Sequence, residues 1–403
     1  MTIRRNDAAT TGWRPETPSF GLATIWRWAR QRDVVLAACV ALLAFVFALA
    51  HIPGAGFNPD ESRWLSRAHF LRDFFDPGGP TWDDGYTTRG QPPLGSYVTG
   101  LGLLLQGRDL DTNGPWNYAW LGSPGWQLNI IAGNMPDPAD LAAARRASAA
   151  IVALTAATIY AIGLGLTGRA GALAGALAFA VHPFAGYIGS IATADALLGF
   201  LVALAALAAM RFARRPSWGG AILLGGLLGL GGAAKLSPLF VAAPLAALGG
   251  ALLVAAALQQ RRLTLARDRF SRALLVVPVV VAAVFVFAYP YLWRNPVAGT
   301  ERLFAFRVQE MRQQTVDWPV MDVPTRADAL RRVGVNFSDR YSIVGGLADA
   351  LGNWLGFAWR PPEVELLLAL AGIVVFAGLA VARGPRSPTA LALVVLGGQT
   401  AIT

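Results

Sequence analysis

The stretch "VVLAACVALLAFVFALAHIPGAGFNPDESRW", residues 34–64, joins an uncharged apolar run to two adjacent carboxylates. The apolar part, 34–52, has close to the about 20 residues that an α-helix needs to cross a bilayer. Asp60 and Glu61 therefore come soon after the chain leaves a membrane. We expect this stretch to set both the topology of the protein and the position of its polar site.

The composition of the whole chain is typical of a membrane protein. Of its 403 residues, 55% are hydrophobic and 14% are charged, and the mean hydropathy is +0.46. Soluble domains carry about 25% charged residues. The single cysteine, Cys39, lies in the first apolar run, so no internal disulfide forms and cysteines do not indicate the compartment.

The apolar runs predict an all-α, polytopic integral membrane protein with roughly eight or nine spans. A further run, 92–106, begins with two prolines and is too short to cross, so we interpret it as interfacial or re-entrant. The last run, 389–403, is also short, which predicts that the sequence is a C-terminally truncated piece of a longer protein. The predicted spans are 34–52, 147–166, 170–189, 194–212, 219–235, 236–258, 273–293 and 364–382.

The basic residues predict the orientation, because cytoplasmic loops carry an excess of Lys and Arg. With a cytoplasmic N-terminal segment, the inner connections hold 17 of the 34 basic residues. The net charge of +10 is then explained by arginines at the inner face, with no nucleic-acid partner. We predict a multi-pass protein of the cell (inner or plasma) membrane, in contact with the lipid bilayer. Its parts are the cytoplasmic segment 1–33, the transmembrane core 34–293 with a first outer loop 53–141, a second outer loop 294–363, and C-terminal spans 364–403.

The residues around the carboxylate pair predict a helix start. Asn58 is a typical N-cap, Pro59 suits the first helical position, and Glu61 occupies the third. The helix is predicted to run to about Phe75 as an interfacial, amphipathic helix. One of its faces would carry Trp64, Ala68, Leu71 and Phe75. Capping explains one carboxylate easily, and an enzymatic role stays open for the pair.

Three further polar residues lie at predicted span ends, and each has a structural alternative. Asp195 would cap the fourth span, Lys235 would extend its ammonium to the interface, and Arg294 would belong to an interfacial aromatic belt. The three histidines of the chain do not have the spacing of a zinc site. The second outer loop is predicted to form short helices over the site.

Five motifs follow one another on this topology: "PDE" (59–61), "QPPLGSY" (91–97), "TAD" (193–195), "AAKLSP" (233–238) and "PYLWRNP" (290–296). In this order they resemble the GT-C fold glycosyltransferases that use polyprenyl-phosphate sugars. The protein O-mannosyltransferase and aminoarabinose transferase group is the most similar. The resemblance covers roughly residues 34 to 300 and implies a GT-C-like helical bundle with interfacial helices in the first outer loop.

The resemblance implies a sugar transfer from a polyprenyl-phosphate carrier to an acceptor hydroxyl at the outer face, with inversion at the sugar carbon. It places the catalytic acid at Asp60, with Glu61 beside it and Asp195 as a further acid. The donor phosphate is expected near Lys235. Relatives often have Lys or Arg where this chain has Gln91. The topology adds two more cations as candidates for the phosphate, Arg89 and Arg294.

The sequence leaves several features of this function open. No cofactor is indicated with certainty, and a divalent cation stays open. The acceptor is a protein, a lipid or a glycan. A transporter or flippase is the alternative, favoured by the short glycine-rich spans in 219–258, although transporters usually place ionisable groups near mid-bilayer. A catalytically inactive scaffold with the same fold is a third reading.

Overall fold

The computed structural model describes residues 22–402 except 121, 261–267, 320–322, 336–342, 344–350 and 357–363. Most of the predicted N-terminal segment and parts of the second outer loop lie outside the described residues. All regular secondary structure in the described ranges is helical, and the predicted all-α, polytopic class is confirmed. In chain order the α-helices are α1 (Leu22–His51), α2 (Pro59–Leu65), α3 (Tyr86–Arg89), α4 (Leu94–Leu104), α5 (Gly122–Ile131), α6 (Pro138–Leu166), α7 (Gly168–Ala180), α8 (Pro183–Gly189), α9 (Asp195–Arg214), α10 (Trp218–Ala234), α11 (Ser237–Gln260), α12 (Arg269–Phe287), α13 (Pro296–Asp317), α14 (Arg326–Val335), α15 (Val364–Arg383) and α16 (Pro388–Ile402).

Six of the described helices, α1, α6, α9, α11, α12 and α15, each contain an apolar segment of at least 19 residues, long enough to cross a bilayer. Helices α7 and α8 are bent by 58° at a short break and form a seventh, broken span or a re-entrant loop. Every predicted span falls on one of these helices or on α10, which has 17 residues. The last run forms α16 with 15 residues, and the run predicted to be interfacial forms α4 with 11.

The arginine-rich connections pair with one another at one end of the helices. Arg169 bridges Asp33 at 2.8 Å, and Arg214 donates to the carbonyl oxygen of Gly165 at 2.8 Å. Asp33 precedes His51 by 18 residues, which is about 27 Å along α1, so these pairs lie at the opposite end of α1 from the first outer loop. These contacts bring the start of α1, the connection from α6 to α7 and the end of α9 to one end of the bundle, as the basic residues predict.

The first outer loop begins as predicted and then departs from the prediction. Asn58 Oδ1 accepts from the backbone N–H of Asp60 at 3.0 Å, and the Glu61 carboxylate accepts from that of Asn58 at 3.0 Å. Helix α2 ends at Leu65, however, and a 3₁₀ helix, Ala68–Phe75, follows it. The predicted continuous amphipathic helix is therefore wrong. Because a 3₁₀ helix has about three residues per turn, residues 68–75 do not continue the face that starts at Trp64.

Helices α10 and α12 pack closely against each other. A Cβ on Gly229 would lie only 2.8 Å from the carbonyl oxygen of Val281. The two helices can therefore come this close because glycine has no side chain at position 229. Helix α10 ends at Ala234, and its C-cap is Lys235. The glycine-rich run 219–235 thus forms a tightly packed helix, and Lys235 follows it at the end of the bundle that carries the first outer loop.

A second close contact joins helix α2 to two of the sequence motifs, "QPPLGSY" and "TAD". A Cβ on Gly95, at the start of α4, would lie 2.4 Å from a ring carbon of Trp64 and 2.9 Å from the Cβ of Ala194. Trp64 belongs to α2, and Ala194 is the N-cap of α9. The first loop is therefore held directly against the start of α9, and this contact brings Asp60 and Asp195 to the same region.

The orientation of the bundle is tested by labelling two introduced cysteines in a Cys39→Ser background, since Cys39 is the single native cysteine. We expect an impermeant maleimide to label Asp109→Cys in intact cells and to leave Arg215→Cys unlabelled, because Asp109 is in the first outer loop. Both positions are exposed in the fold. Permeabilised cells, in which both cysteines should react, are the control. Labelling of Arg215→Cys alone in intact cells would contradict the orientation.

Candidate active site

A cavity of about 680 Å³ opens where the first outer loop, the start of α9, the end of α10 and α13 meet. Three of the six residues predicted for the site line it: Asp60, Asp195 and Lys235. Glu61, Arg89 and Arg294 do not. The cavity is lined by Asn58, Pro59, Asp60, Arg63, Trp64, Ser66, Arg67, Tyr86, Thr87, Gly90, Gln91, Pro115, Tyr118, Thr193, Asp195, Lys235, Glu310, Gln313, Gln314, Asp317 and Trp318.

Asp60 is exposed to this cavity and is held by one tyrosine. Its Oδ1 accepts a hydrogen bond from the hydroxyl of Tyr118. Burial and the neighbouring Asp60 carboxylate raise the pKa of Tyr118, so the phenol keeps its proton and acts as a donor. In the described part of the chain no group bonds Oδ2 of Asp60, which leaves that oxygen available to accept a proton from a ligand.

Asp195 and Lys235 form an ion pair on another wall of the cavity. The Lys235 ammonium lies 2.6 Å from Asp195 Oδ1, and the Thr193 hydroxyl donates to Oδ2 at 3.0 Å. Both side chains are more than a third exposed. The N-cap of α9 is Ala194, without a side-chain hydrogen bond, so the carboxylate of Asp195 is turned to the lysine and does not cap the helix.

Glu61 lies beside Asp60 in sequence but points into the protein. It is fully buried, and its two oxygens meet Arg145 of α6 in a bidentate pair at 2.8 and 2.7 Å. The carboxylate also accepts from the backbone N–H of Ala192 at 2.8 Å. Arg145 in turn donates to the carbonyl oxygens of Ala55 and Gly56 at 3.1 and 2.8 Å. Glu61 thus joins α2, α6 and the segment before α9.

Arg89 and Arg294 lie outside the cavity. The Arg89 guanidinium lies 3.5 Å from Asp84 and packs over the ring of Phe306 at 4.9 Å. Asp84 also accepts from the hydroxyl of Tyr291. Arg294 is exposed near Gly78, where a Cβ would meet its Nη2 at 2.9 Å. Neither cation lines the cavity that Asp60 and Lys235 share.

Helix α13 forms the outer wall of the cavity. It has 22 residues, longer than the short helices predicted over the site. The Tyr86 hydroxyl donates to Glu310 at 2.7 Å, and Arg307 donates to the carbonyl oxygen of Gly90 at 2.6 Å. These contacts tie α13 to the first outer loop.

The sequence assigned no role at the site to Arg63, Arg67, Tyr86 or Tyr118, which all line the cavity. Arg63 and Arg67 fall outside the apolar face predicted for the first-loop helix, and Tyr86 and Tyr118 belong to no motif. The guanidinium of Arg63 lies between the two tyrosine rings, 4.5 Å from the centroid of Tyr86 and 4.2 Å from that of Tyr118. The available signal was the density of aromatic and basic residues in the loop, which does not single out any position.

The described residues contain no group of three or more His, Cys, Asp or Glu side chains that could hold a metal ion. The acids that line the cavity, Asp60, Asp195, Glu310 and Asp317, are spread over three walls. Nothing in this arrangement assigns ligands for the divalent cation that the sequence leaves open.

The buried ion pair predicts a stability effect. We expect Arg145→Met to lower the free energy of unfolding by about 3–5 kcal/mol, because Glu61 would keep a buried charge without its partner. Arg146→Met is the matched control, since Arg146 is exposed and makes one side-chain bond, to Gln106 at 2.9 Å. Thermal unfolding of the purified variants in detergent measures the difference. Equal melting of the two variants would mean that the pair does not hold the loop.

Residues 138–293, from the start of α6 to the residue that ends the 3₁₀ turn after α12, match the sequence model of the family described as dolichyl-phosphate-mannose-protein mannosyltransferase. The matched segment is less than half of the chain and contains Arg145, Asp195 and Lys235. No curated protein sequence matches the chain significantly.

Two solved structures are similar in part. The S. cerevisiae protein O-mannosyltransferase Pmt1-Pmt2 complex bound to the sugar donor aligns with a TM-score of 0.45 and 19% identity over 65% of this chain and 34% of that one. The archaeal oligosaccharyltransferase AglB from Archaeoglobus fulgidus, in complex with an inhibitory peptide and a dolichol-phosphate, aligns with a TM-score of 0.45 and 13% identity over 91% of this chain and 47% of that one. The chain thus spans about a third and just under half of these proteins. The match to the family model thus lies on the helices from α6 to α12.

Proposed function

We propose that the chain transfers a sugar from a polyprenyl-phosphate carrier to an acceptor hydroxyl at the outer face of the membrane, with Asp60 as the general base. The observation that carries the proposal is the exposure of Asp60 in a cavity that also contains the Asp195–Lys235 pair, at the ends of apolar helices. Such a cavity lies where a lipid tail stays in the bilayer while its phosphate and sugar reach water.

The proposed reaction is a single displacement. The acceptor oxygen forms a bond to the anomeric carbon of the sugar while its proton passes to Oδ2 of Asp60. The bond from that carbon to the phosphate oxygen breaks, and its electron pair leaves with the polyprenyl phosphate. The Tyr118 hydroxyl, bonded to Oδ1, fixes the orientation of the carboxylate during the proton transfer.

Lys235 is the cation of the predicted set that is placed to contact the phosphate. A nearby cation stabilises the negative charge that develops on the leaving group. Because its ammonium is already paired with Asp195, Lys235 would contact a phosphate only by sharing its protons between the two anions. Arg89 and Arg294 lie outside the cavity, so we do not include them in the donor site. Glu61 has a positioning role in this proposal, since its oxygens are occupied by Arg145 and by backbone donors.

The ends of α9 and α10 also bear on the transporter alternative. Asp195 begins α9 and Lys235 follows α10, so both ionisable groups lie at helix ends. Substrate and ion sites of transporters usually lie near the bilayer midplane, on interrupted helices. The position of the charged residues therefore favours chemistry at the membrane surface.

Replacement of the proposed base tests the function. We expect Asp60→Asn to lower the transfer rate by about 10²- to 10⁴-fold, because the amide cannot take up the acceptor proton. Binding of the polyprenyl-phosphate sugar should persist. The matched control is Asp76→Asn, an exposed carboxylate of the same loop that does not line the cavity. Sugar release from a panel of polyprenyl-phosphate donors by purified protein measures the rate.

Full turnover by Asp60→Asn would show that Asp60 is not the general base. Absence of transfer by the unmodified protein with every donor, together with solute flux in proteoliposomes, would favour the transporter instead.

The single displacement predicts the stereochemistry of the product. We expect the anomeric configuration of the product to be opposite to that of the donor, because the acceptor attacks the face away from the phosphate. The anomeric proton–proton or carbon–proton coupling, followed by NMR during turnover, reports the configuration. A product that keeps the donor's configuration would require two displacements and a covalent intermediate, which this site does not explain.

A further inference from the structure

Arg67 is a buried cation in the wall of the cavity. It lies between α2 and the 3₁₀ helix Ala68–Phe75, and 4% of its surface is exposed. Its Nε donates to the carbonyl oxygen of Arg63 at 3.2 Å, and its Nη1 donates to those of Thr87 and Gln91 at 3.0 Å each. In the described ranges its Nη2 has no hydrogen-bond partner.

No carboxylate balances this charge. None of the acids in the described part of the chain comes within 4.0 Å of the Arg67 guanidinium, which packs over the ring of Trp64 at 4.6 Å. Burial lowers the pKa of Arg67 to about 10, so the side chain still carries its charge near neutral pH. A buried ionised group without a partner is costly, and proteins keep one where a ligand completes the pair.

The other cations near the cavity differ from Arg67. Lys235 is paired with Asp195, and Arg145 with Glu61. Arg63 is only partly buried, and it donates to the carbonyl oxygen of Trp116 and to the hydroxyl of Tyr86. Among the described cavity residues, Arg67 is therefore the buried cation that has no carboxylate within 4.0 Å.

We propose that Arg67 is the counter-charge for the phosphate of the lipid-linked donor. This inference rests on the proposed function and adds a residue to its donor site. The Arg67 guanidinium donates to the carbonyl oxygen of Gln91. Its positive charge therefore lies next to position 91, where this chain has the uncharged side chain of glutamine. Arg67, Thr87 and Gln91 all line the cavity, so a phosphate beside residues 87–91 would approach a guanidinium that is largely removed from water, where attraction between charges is stronger.

A purely structural role for Arg67 is the alternative. Its Nε contact covers a carbonyl oxygen at the end of α2, and its Nη1 contacts hold the 87–91 segment. Loss of these structural hydrogen bonds would weaken the binding of every ligand of the cavity by a similar factor. Loss of a counter-charge would weaken anionic ligands selectively, and this difference separates the two roles.

The experiment measures binding of two probes to the purified full chain in lipid nanodiscs: a polyprenyl phosphate without sugar, and the corresponding neutral polyprenol. The variants are Arg67→Gln, which removes the charge and keeps a donor for the carbonyl oxygens, and Arg67→Lys, which keeps the charge. Arg72→Met is the matched control, because Arg72 is an exposed arginine of the same loop, paired with Asp73 and Asp111.

We expect Arg67→Gln to weaken polyprenyl phosphate binding at least tenfold and to leave polyprenol binding unchanged, while Arg72→Met changes neither. An equal loss of binding for both probes, or no loss of binding for either, would overturn the counter-charge role and leave Arg67 with a structural role only. If Arg67→Gln does not fold, the ³¹P resonance of the bound phosphate decides. It should differ between Arg67→Lys and the unmodified protein, and an unchanged resonance would overturn the proposal.

The outcome for the proposed function is read separately. If neither the unmodified protein nor Arg72→Met binds the two probes above the background of empty nanodiscs, the proposed lipid-linked donor is wrong. If the unmodified protein binds and uses the donor while Arg67→Gln keeps its preference for the phosphate, only the role of Arg67 fails.

Discussion

The site depends on one buried ion pair, between Glu61 of α2 and Arg145 of α6. Its four contacts per side join three segments that are distant in sequence: the capped start of α2, the transmembrane helix α6 and the backbone before α9. Two charges removed from water are tolerated when every donor and acceptor finds a partner, and here the Arg145 donors that Glu61 does not take reach carbonyl oxygens of the loop. Because Asp60 directly precedes Glu61, the same pair fixes where Asp60 stands.

The two carboxylates of "PDE", Asp60 and Glu61, therefore have different roles. Glu61 faces inward and satisfies backbone and side-chain donors, whereas Asp60 faces the cavity and keeps an oxygen available. The helix cap requires this division: when the third residue of α2 folds back to its N-cap, the residue before it points to the other side of the helix start. The capping reading and the enzymatic reading of the pair are thus both useful, each for a different residue.

Much of the architecture could be predicted from the sequence, because twenty-residue apolar runs and arginine-rich connections report directly on a bilayer. The break of the first-loop helix after Leu65 could not, since Arg67 bonds to Thr87 and Trp64 packs against Gly95, and a local pattern does not report contacts with later parts of the chain. The motifs led to Asp60, Asp195 and Lys235, which line one cavity. Tyr118 and Arg67 were not found, because their importance comes from burial and from missing or single partners, and a linear pattern carries neither property.

Gly95 connects this architecture to how the sequence can change. Trp64, Gly95 and Ala194 share one small volume: Trp64 belongs to α2, Gly95 to "QPPLGSY" and Ala194 to "TAD". A larger side chain at any of the three positions would push the first loop away from α9 and separate Asp60 from the Asp195–Lys235 pair. Substitutions at these positions are therefore coupled: a homologue with a bulkier residue at 95 must have a smaller one at 64 or 194, so paired sequence variation would trace this contact.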